Sequence, residues 1–129
     1  PNVAAQRAGV NLQIDVIQAA LRRIERDHDV TLVEGAGGLL VPLTEAASFA
    51  DFARGLQLAT VVVVGSKLGA INHARLTVEH AACLGVEVAG YIVNFPTPGI
   101  DLAAETNLEV LRHCLGEPLG VLRLSLIHI

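Results

Sequence analysis

Ala59 to Val64 reads as a continuous apolar strand, and Gly65-Ser66-Lys67-Leu68-Gly69 follows it at once. Such a run suits a strand covered on both faces, which is the habit of parallel sheets. Helical and strand periods alternate around it. Ile14, Ile17, Leu21 and Ile24 recur at helical spacing, and Val30 to Val33 follows as a β-rich run ending at Glu34. Ser48 with Asp51 three residues on marks a capped helix start, with the helix running from Phe49 to Arg54 and stopping at Gly55. A helix beginning near Asn72 carries Leu76, Ala81 and Leu84 to Gly85, and Val88 to Val93 is a third strand ending at Asn94. Pro96, Pro98 and Gly99 mark a loop. Asp101 can cap a further helix whose stripe is Leu108, Leu111 and Cys114, and Leu119 to Leu122 is a last short strand.

Strand alternating with helix predicts an α/β fold. Its sheet should be mainly parallel, with right-handed crossovers and helices on both faces in three layers. Ligands in that architecture bind at the carboxyl ends of the strands. Three apolar runs end in polar or glycine-rich segments: Glu34 to Gly38, Gly65 to Gly69, and Asn94-Phe95-Pro96. That edge is the expected site.

Length and composition narrow the class. At 129 residues, 52% apolar and 17% charged, the chain fits one domain at most and is too apolar for disorder. Spanning a bilayer as a helix takes about 18 apolar residues or more; Leu58 to Val64 is far shorter. A net charge of −4 argues against general nucleic-acid binding. Cys83 and Cys114 fall in apolar helical stretches without metal spacing, and read as small buried hydrophobes of a reducing, cytoplasmic setting. The chain opens on Pro1 rather than Met, and reads as an internal fragment of a longer protein. Leu124-Ser125-Leu126-Ile127-His128-Ile129 looks like the translation of a transposase adapter from sequencing libraries, so residues 124–129 are set apart as a non-native tail.

A carboxylate straight after an apolar strand is costly to bury unpaired. Glu34 therefore suits a Mg2+ ligand beside phosphate oxygens, or else a partner of a nearby Lys or a helix cap. Gly35, Gly37 and Gly38 permit positive φ and amides aimed at an anion, while a plain tight turn is the alternative. Glycines flank Lys67, and the helix after Gly69 offers free amides suited to carboxylate or phosphate. Neither segment has the Gly-x-x-x-x-Gly-Lys-Ser/Thr spacing. Asn72 and His73 can cap or be solvated, and Asn94 can read a base or start the Pro-rich turn. His28, His80 and His113 show no metal-ligand spacing.

Together these segments resemble dethiobiotin synthetase, an ATP-dependent family of the P-loop NTPase superfamily. The matching stretches are Leu32 to Leu43, Val64 to Ala74 with Leu76-Thr77, and Gly90-Tyr91-Ile92-Val93-Asn94. The likeness runs from about Val3 to about Leu122, leaving residues 1–123 as one partial domain. Lys67-Leu68-Gly69 with Ile71-Asn72-His73-Ala74 is specific to the family. Val33 to Gly38 alone also resembles cobyric and cobyrinic acid synthases.

The resemblance implies a cyclo-ligase that joins CO2 to 7,8-diaminononanoate through a carbamate phosphorylated by ATP. It further implies that Glu34 binds Mg2+, that Glu34, Gly35, Ala36 and Gly37 meet the nucleotide phosphates, and that Asn94 and Phe95 meet the adenine. Gly37 and Gly38 would lie beside the substrate, and Gly69, Ala70, Ile71 and Asn72 would hold its carboxylate across a homodimer interface.

The family's phosphate loop, catalytic Lys and second acidic Mg2+ ligand have no counterpart in these residues. No catalytic residue is assigned, and the fold is expected to be incomplete at its N-terminus. The isolated chain is expected to be marginally stable and inactive. The competing expectations are a cobyric or cobyrinic acid synthase domain, and a loop-less binding or dimerisation module.

Overall fold

The computed structural model describes residues 1–96 and 102–124. The elements run α1 (Asn2–Arg7), α2 (Ile14–Asp27), α3 (Phe49–Gly55), β1 (Thr60–Gly65), α4 (Ala70–Leu84), β2 (Val88–Phe95), α5 (Leu102–Leu115) and β3 (Gly120–Arg123). The chain divides into two compact units, Pro1–Leu56 and Gln57–Ile129. Asp101, Pro98, Gly99 and residues 125–129, on which a helix cap, part of a loop and most of the tail were expected, lie outside the described residues.

In the second unit the sheet is parallel, with order β1-β2-β3. Consecutive parallel neighbours need a crossover each, and α4 and α5 supply them. α4 packs on β1, on β2 and against α5. One core joins Val64, Tyr91, Val93 and Phe95 of the sheet to Ala70 and Ala74 of α4 and Leu111 of α5. Alanine on the buried side of α4 lets helix and sheet approach closely. The Tyr91 hydroxyl donates to the Gly116 carbonyl at 2.6 Å. Burial, followed by the charge of Glu117, pushes its pKa up.

The parallel α/β arrangement is the one the alternation predicts, but single positions differ. β1 is covered on one face only: Val64 is buried and Val62 packs on the core, while Val61 and Val63 are 42% and 62% exposed. The cause is that α4 and α5 share a single core cluster. Leu76 is 57% exposed, because α4 turns Ala70, Ala74 and Ala81 inward instead. Cys83 and Cys114 are both exposed, not buried. On α5 the packed stripe runs Leu108, Leu111 and Leu115, which leaves Cys114 one position off it.

The first unit holds the larger correction. Val30 to Val33 forms no strand; Val30 and Leu32 are 75% and 91% exposed. A strand exists only with a laddered neighbour, and no described residue pairs with this segment. Ile24, expected on the apolar stripe of α2, is also exposed, leaving Leu21 as its buried residue.

The start of α3 is as the sequence predicts. Ser48 caps it by accepting from the Asp51 amide at 3.3 Å, while Asp51 accepts from the Ser48 amide at 2.9 Å. These backbone and side-chain bonds from Ser48 hold the Asp51 carboxyl below its usual pKa. A group with a lowered folded pKa stabilises above its unfolded value, and that stabilisation is lost as pH falls through the folded one. Ser48→Ala is expected to cost about 1 kcal/mol at neutral pH. In urea melts the gap from the parent should narrow as the solution is acidified below the ordinary carboxylate range.

Candidate functional site

Of the expected site residues, Glu34 to Gly38 belong to the first unit, whereas Gly65 to Asn72, Asn94 and Phe95 belong to the second. In the first unit Glu34, Gly35, Ala36, Gly37 and Gly38 are all exposed and sit in irregular backbone. Gly37 and Gly38 take φ of +87° and +127°, and a Cβ on Gly37 would meet Val41 at 3.2 Å. Both positions therefore require glycine, and the expected positive-φ turn is present at Gly37 and Gly38 but does not extend to Gly35. No ion pair to Glu34 forms among the described residues.

Mg2+ is ordinarily held by one or two carboxylates with phosphate oxygens and waters. A single exposed, unpaired carboxylate fits that requirement as one protein ligand. No group of three His, Cys, Asp or Glu able to enclose a metal occurs among the described residues.

The second unit brings its candidates together through backbone bonds. Gly65 is in register with Asn94 across the parallel pair, and the Ser66 amide donates to the Asn94 carbonyl at 2.7 Å. The chain then turns. The Lys67 carbonyl accepts from the Ala70 amide at 3.0 Å, and Gly69 enters the left-handed region at φ +88°. α4 thus begins at Ala70, two residues before the expected start, so Asn72 stands exposed in its first turn rather than capping it. Helix geometry leaves the first-turn amides without partners inside the helix, and among the described residues no backbone carbonyl accepts from those of Ile71 and Asn72, which suits them to an anion. His73 is exposed, in keeping with the solvated reading, and its ring lies beside Gly69.

A cleft of about 630 Å³ opens at this end of α4, lined among others by Gly69, Ile71, Asn72, Arg75 and Asn107. Arg75 pairs with Glu79 at 3.0 Å along its side. At the ends of β2 and β3, Phe95 is buried and Arg123 stacks over its ring at 4.4 Å.

Asn107 is the residue sequence reasoning passed over. It is only 4% exposed, and its Nδ2 donates to Ser66 Oγ at 3.2 Å and to the Lys67 carbonyl at 3.1 Å. A signal existed, since Asn107 shares the four-residue spacing of Leu111 and Leu115 and is thus a polar residue on an apolar stripe.

A Cβ at Gly69 would need positive φ and would sit 3.4 Å from the His73 ring. Gly69→Ala is expected to lower the stability of this unit by about 1–2 kcal/mol. Amide chemical shifts of residues 67–72 should move with it; a melt and shifts unchanged from the parent would contradict the turn as described.

Comparison with known proteins gives the chain its relatives. An AAA domain family matches residues 1–120. The ATP-dependent dethiobiotin synthetase BioD of Aromatoleum aromaticum is 44% identical over 119 residues, covering 92% of this chain and 52% of that protein. The protein of the same name from Xanthomonas oryzae pv. oryzae is 40% identical over 118 residues, or 92% of this chain and 52% of its own. That of Yersinia pestis bv. Antiqua is 36% identical over 122 residues, or 95% and 51%. The chain thus spans about half the length of the curated relatives it matches. With a parallel sheet, helical crossovers and a match over nearly its whole length, the chain has a P-loop NTPase-like α/β fold and belongs to the AAA domain family.

Proposed function

We propose that these residues are part of an ATP-dependent cyclo-ligase that forms dethiobiotin from 7,8-diaminononanoate and CO2. The observation that carries the reading is the 44% identity to a dethiobiotin synthetase over 92% of the chain. The glycine turn at α4 supports it, because free helix amides beside a cleft suit the carboxylate of a long diamino acid.

In this reading one amine of the substrate takes up CO2 as a carbamate. A carbamate oxygen attacks the γ-phosphorus and ADP leaves. The second amine then attacks the carbamoyl carbon, closing the cyclic urea and expelling phosphate. Phosphoryl transfer asks a protein mainly for positioning and charge neutralisation. Glu34 would hold Mg2+, which when bound supplies neutralising charge at the phosphates. Gly35, Ala36 and Gly37 line the phosphates, and Asn94 with Phe95 meets the base. Gly37 and Gly38 flank the substrate, whose carboxylate the 69–72 turn receives in a cytoplasmic homodimer.

The test is an assay of the full-length protein that carries this chain, supplied with 7,8-diaminononanoate, bicarbonate, Mg2+ and ATP. Dethiobiotin formed in step with ADP is the expected result; ATP hydrolysis without dethiobiotin overturns the reading. The 129 residues alone contain no Gly-x-x-x-x-Gly-Lys-Ser/Thr segment, and are expected to neither bind ATP tightly nor turn over.

A further inference from the structure

We propose that Asn107 is a positioning residue for the α4 turn, fixing the direction in which the Ile71 and Asn72 amides meet the substrate carboxylate; this rests on the ligase reading above. Among the described residues the turn is tied from three sides. β2 holds it through the Asn94 carbonyl, which accepts from the Ser66 amide at 2.7 Å. α4 holds it through the Ala70 amide, which donates to the Lys67 carbonyl at 3.0 Å. The third tie comes from α5, where a single side-chain nitrogen, Asn107 Nδ2, reaches both Ser66 Oγ and the same Lys67 carbonyl.

Ser66 and Asn107 are both buried, at 7% and 4% exposure, so water is poorly placed to substitute for these bonds. Lys67, Leu68 and Gly69, by contrast, are exposed and have little packing to hold them. The shape of the segment therefore depends on hydrogen bonds at its base. Of the three ties, only the one from Asn107 is made by a side chain, and so it is the one a substitution can remove without touching the sheet or the helix backbone. Asn107 also lines the cleft beside Gly69 and Asn72, so loosening it acts where the carboxylate is expected. An anion held by two backbone amides is sensitive to their direction, because hydrogen bonds weaken steeply with misalignment.

The experiment uses the full-length protein carrying Asn107→Leu, which keeps the branched shape and removes both bonds, and Ser66→Ala, which removes one acceptor only. Expected for Asn107→Leu is a KM for 7,8-diaminononanoate raised about tenfold, the loss of roughly one charge-assisted hydrogen bond. The KM for ATP and kcat at saturation should change less than about twofold, a pattern that marks lost ground-state binding. Ser66→Ala should raise the same KM by about threefold and needs no new volume in the core, so it serves if the leucine variant does not fold. An unchanged diamino acid KM in a folded Ser66→Ala or Asn107→Leu protein overturns the inference, as does an equal loss in all constants. An inactive parent protein instead overturns the ligase reading, and this inference with it.

Discussion

Leu111→Ala is expected to destabilise the second unit by about 2–5 kcal/mol. Leu111 is fully buried, at 0% exposure, and lies in the cluster that joins α4, α5 and the sheet. Its removal leaves a cavity bounded by neighbours that belong to different elements. Val93 lies on the central strand, in register with Val64 on one side and Val121 on the other, so it cannot move in to fill the space. Domains of ordinary size are stable by only about 5–15 kcal/mol, so the variant should melt far below the parent, or fail to fold. Hydrogen exchange at Val62 to Val64 reports it directly: protection there should collapse. A variant with the parent's melting midpoint and slow exchange along β1 would show that the core lies elsewhere.

Glu34→Gln is expected to lower kcat of the full-length protein by about 100-fold or more, the loss corresponding to several kcal/mol of metal-borne charge stabilisation. The side chain is exposed and lies in irregular backbone, so the substitution removes charge without disturbing packing. Its melting midpoint should match the parent's. The activity loss should be partly relieved by raised Mg2+, since an amide oxygen is a weaker ligand than a carboxylate but occupies the same place. A variant with undiminished kcat would remove Glu34 from the proposed metal site.

The second unit was largely legible in the sequence because its signals are local and agree with one another. A valine run bounded by Thr60 and Gly65, a glycine on each end of α4, and Asn94 near the end of β2 each specify one boundary. The Ser48–Asp51 box was legible for the same reason, since both partners lie within one turn. What escaped depends on distant partners. Val30 to Val33 has the composition of a strand, yet pairing is a property of two segments, and composition describes one. Leu76 and Cys114 were misplaced because apolar spacing tolerates a shift of one or two positions, and only the facing surface selects Ala74 or Leu115 instead. Asn107 escaped because its partners, Ser66 and Lys67, lie about 40 residues earlier. Within the site, the glycine turn at 69 was readable from residue type, whereas the clamp beneath it was not.

The most direct measurement of the proposed chemistry follows oxygen. The full-length protein is supplied with bicarbonate labelled with 18O, 7,8-diaminononanoate and unlabelled ATP, and the phosphate released is analysed by mass spectrometry. A carbamate oxygen that takes the phosphoryl group leaves with it, so one 18O should appear in each phosphate formed alongside dethiobiotin. Phosphate free of label would mean that water, not the carbamate, receives the phosphoryl group, and would contradict the ligase assignment.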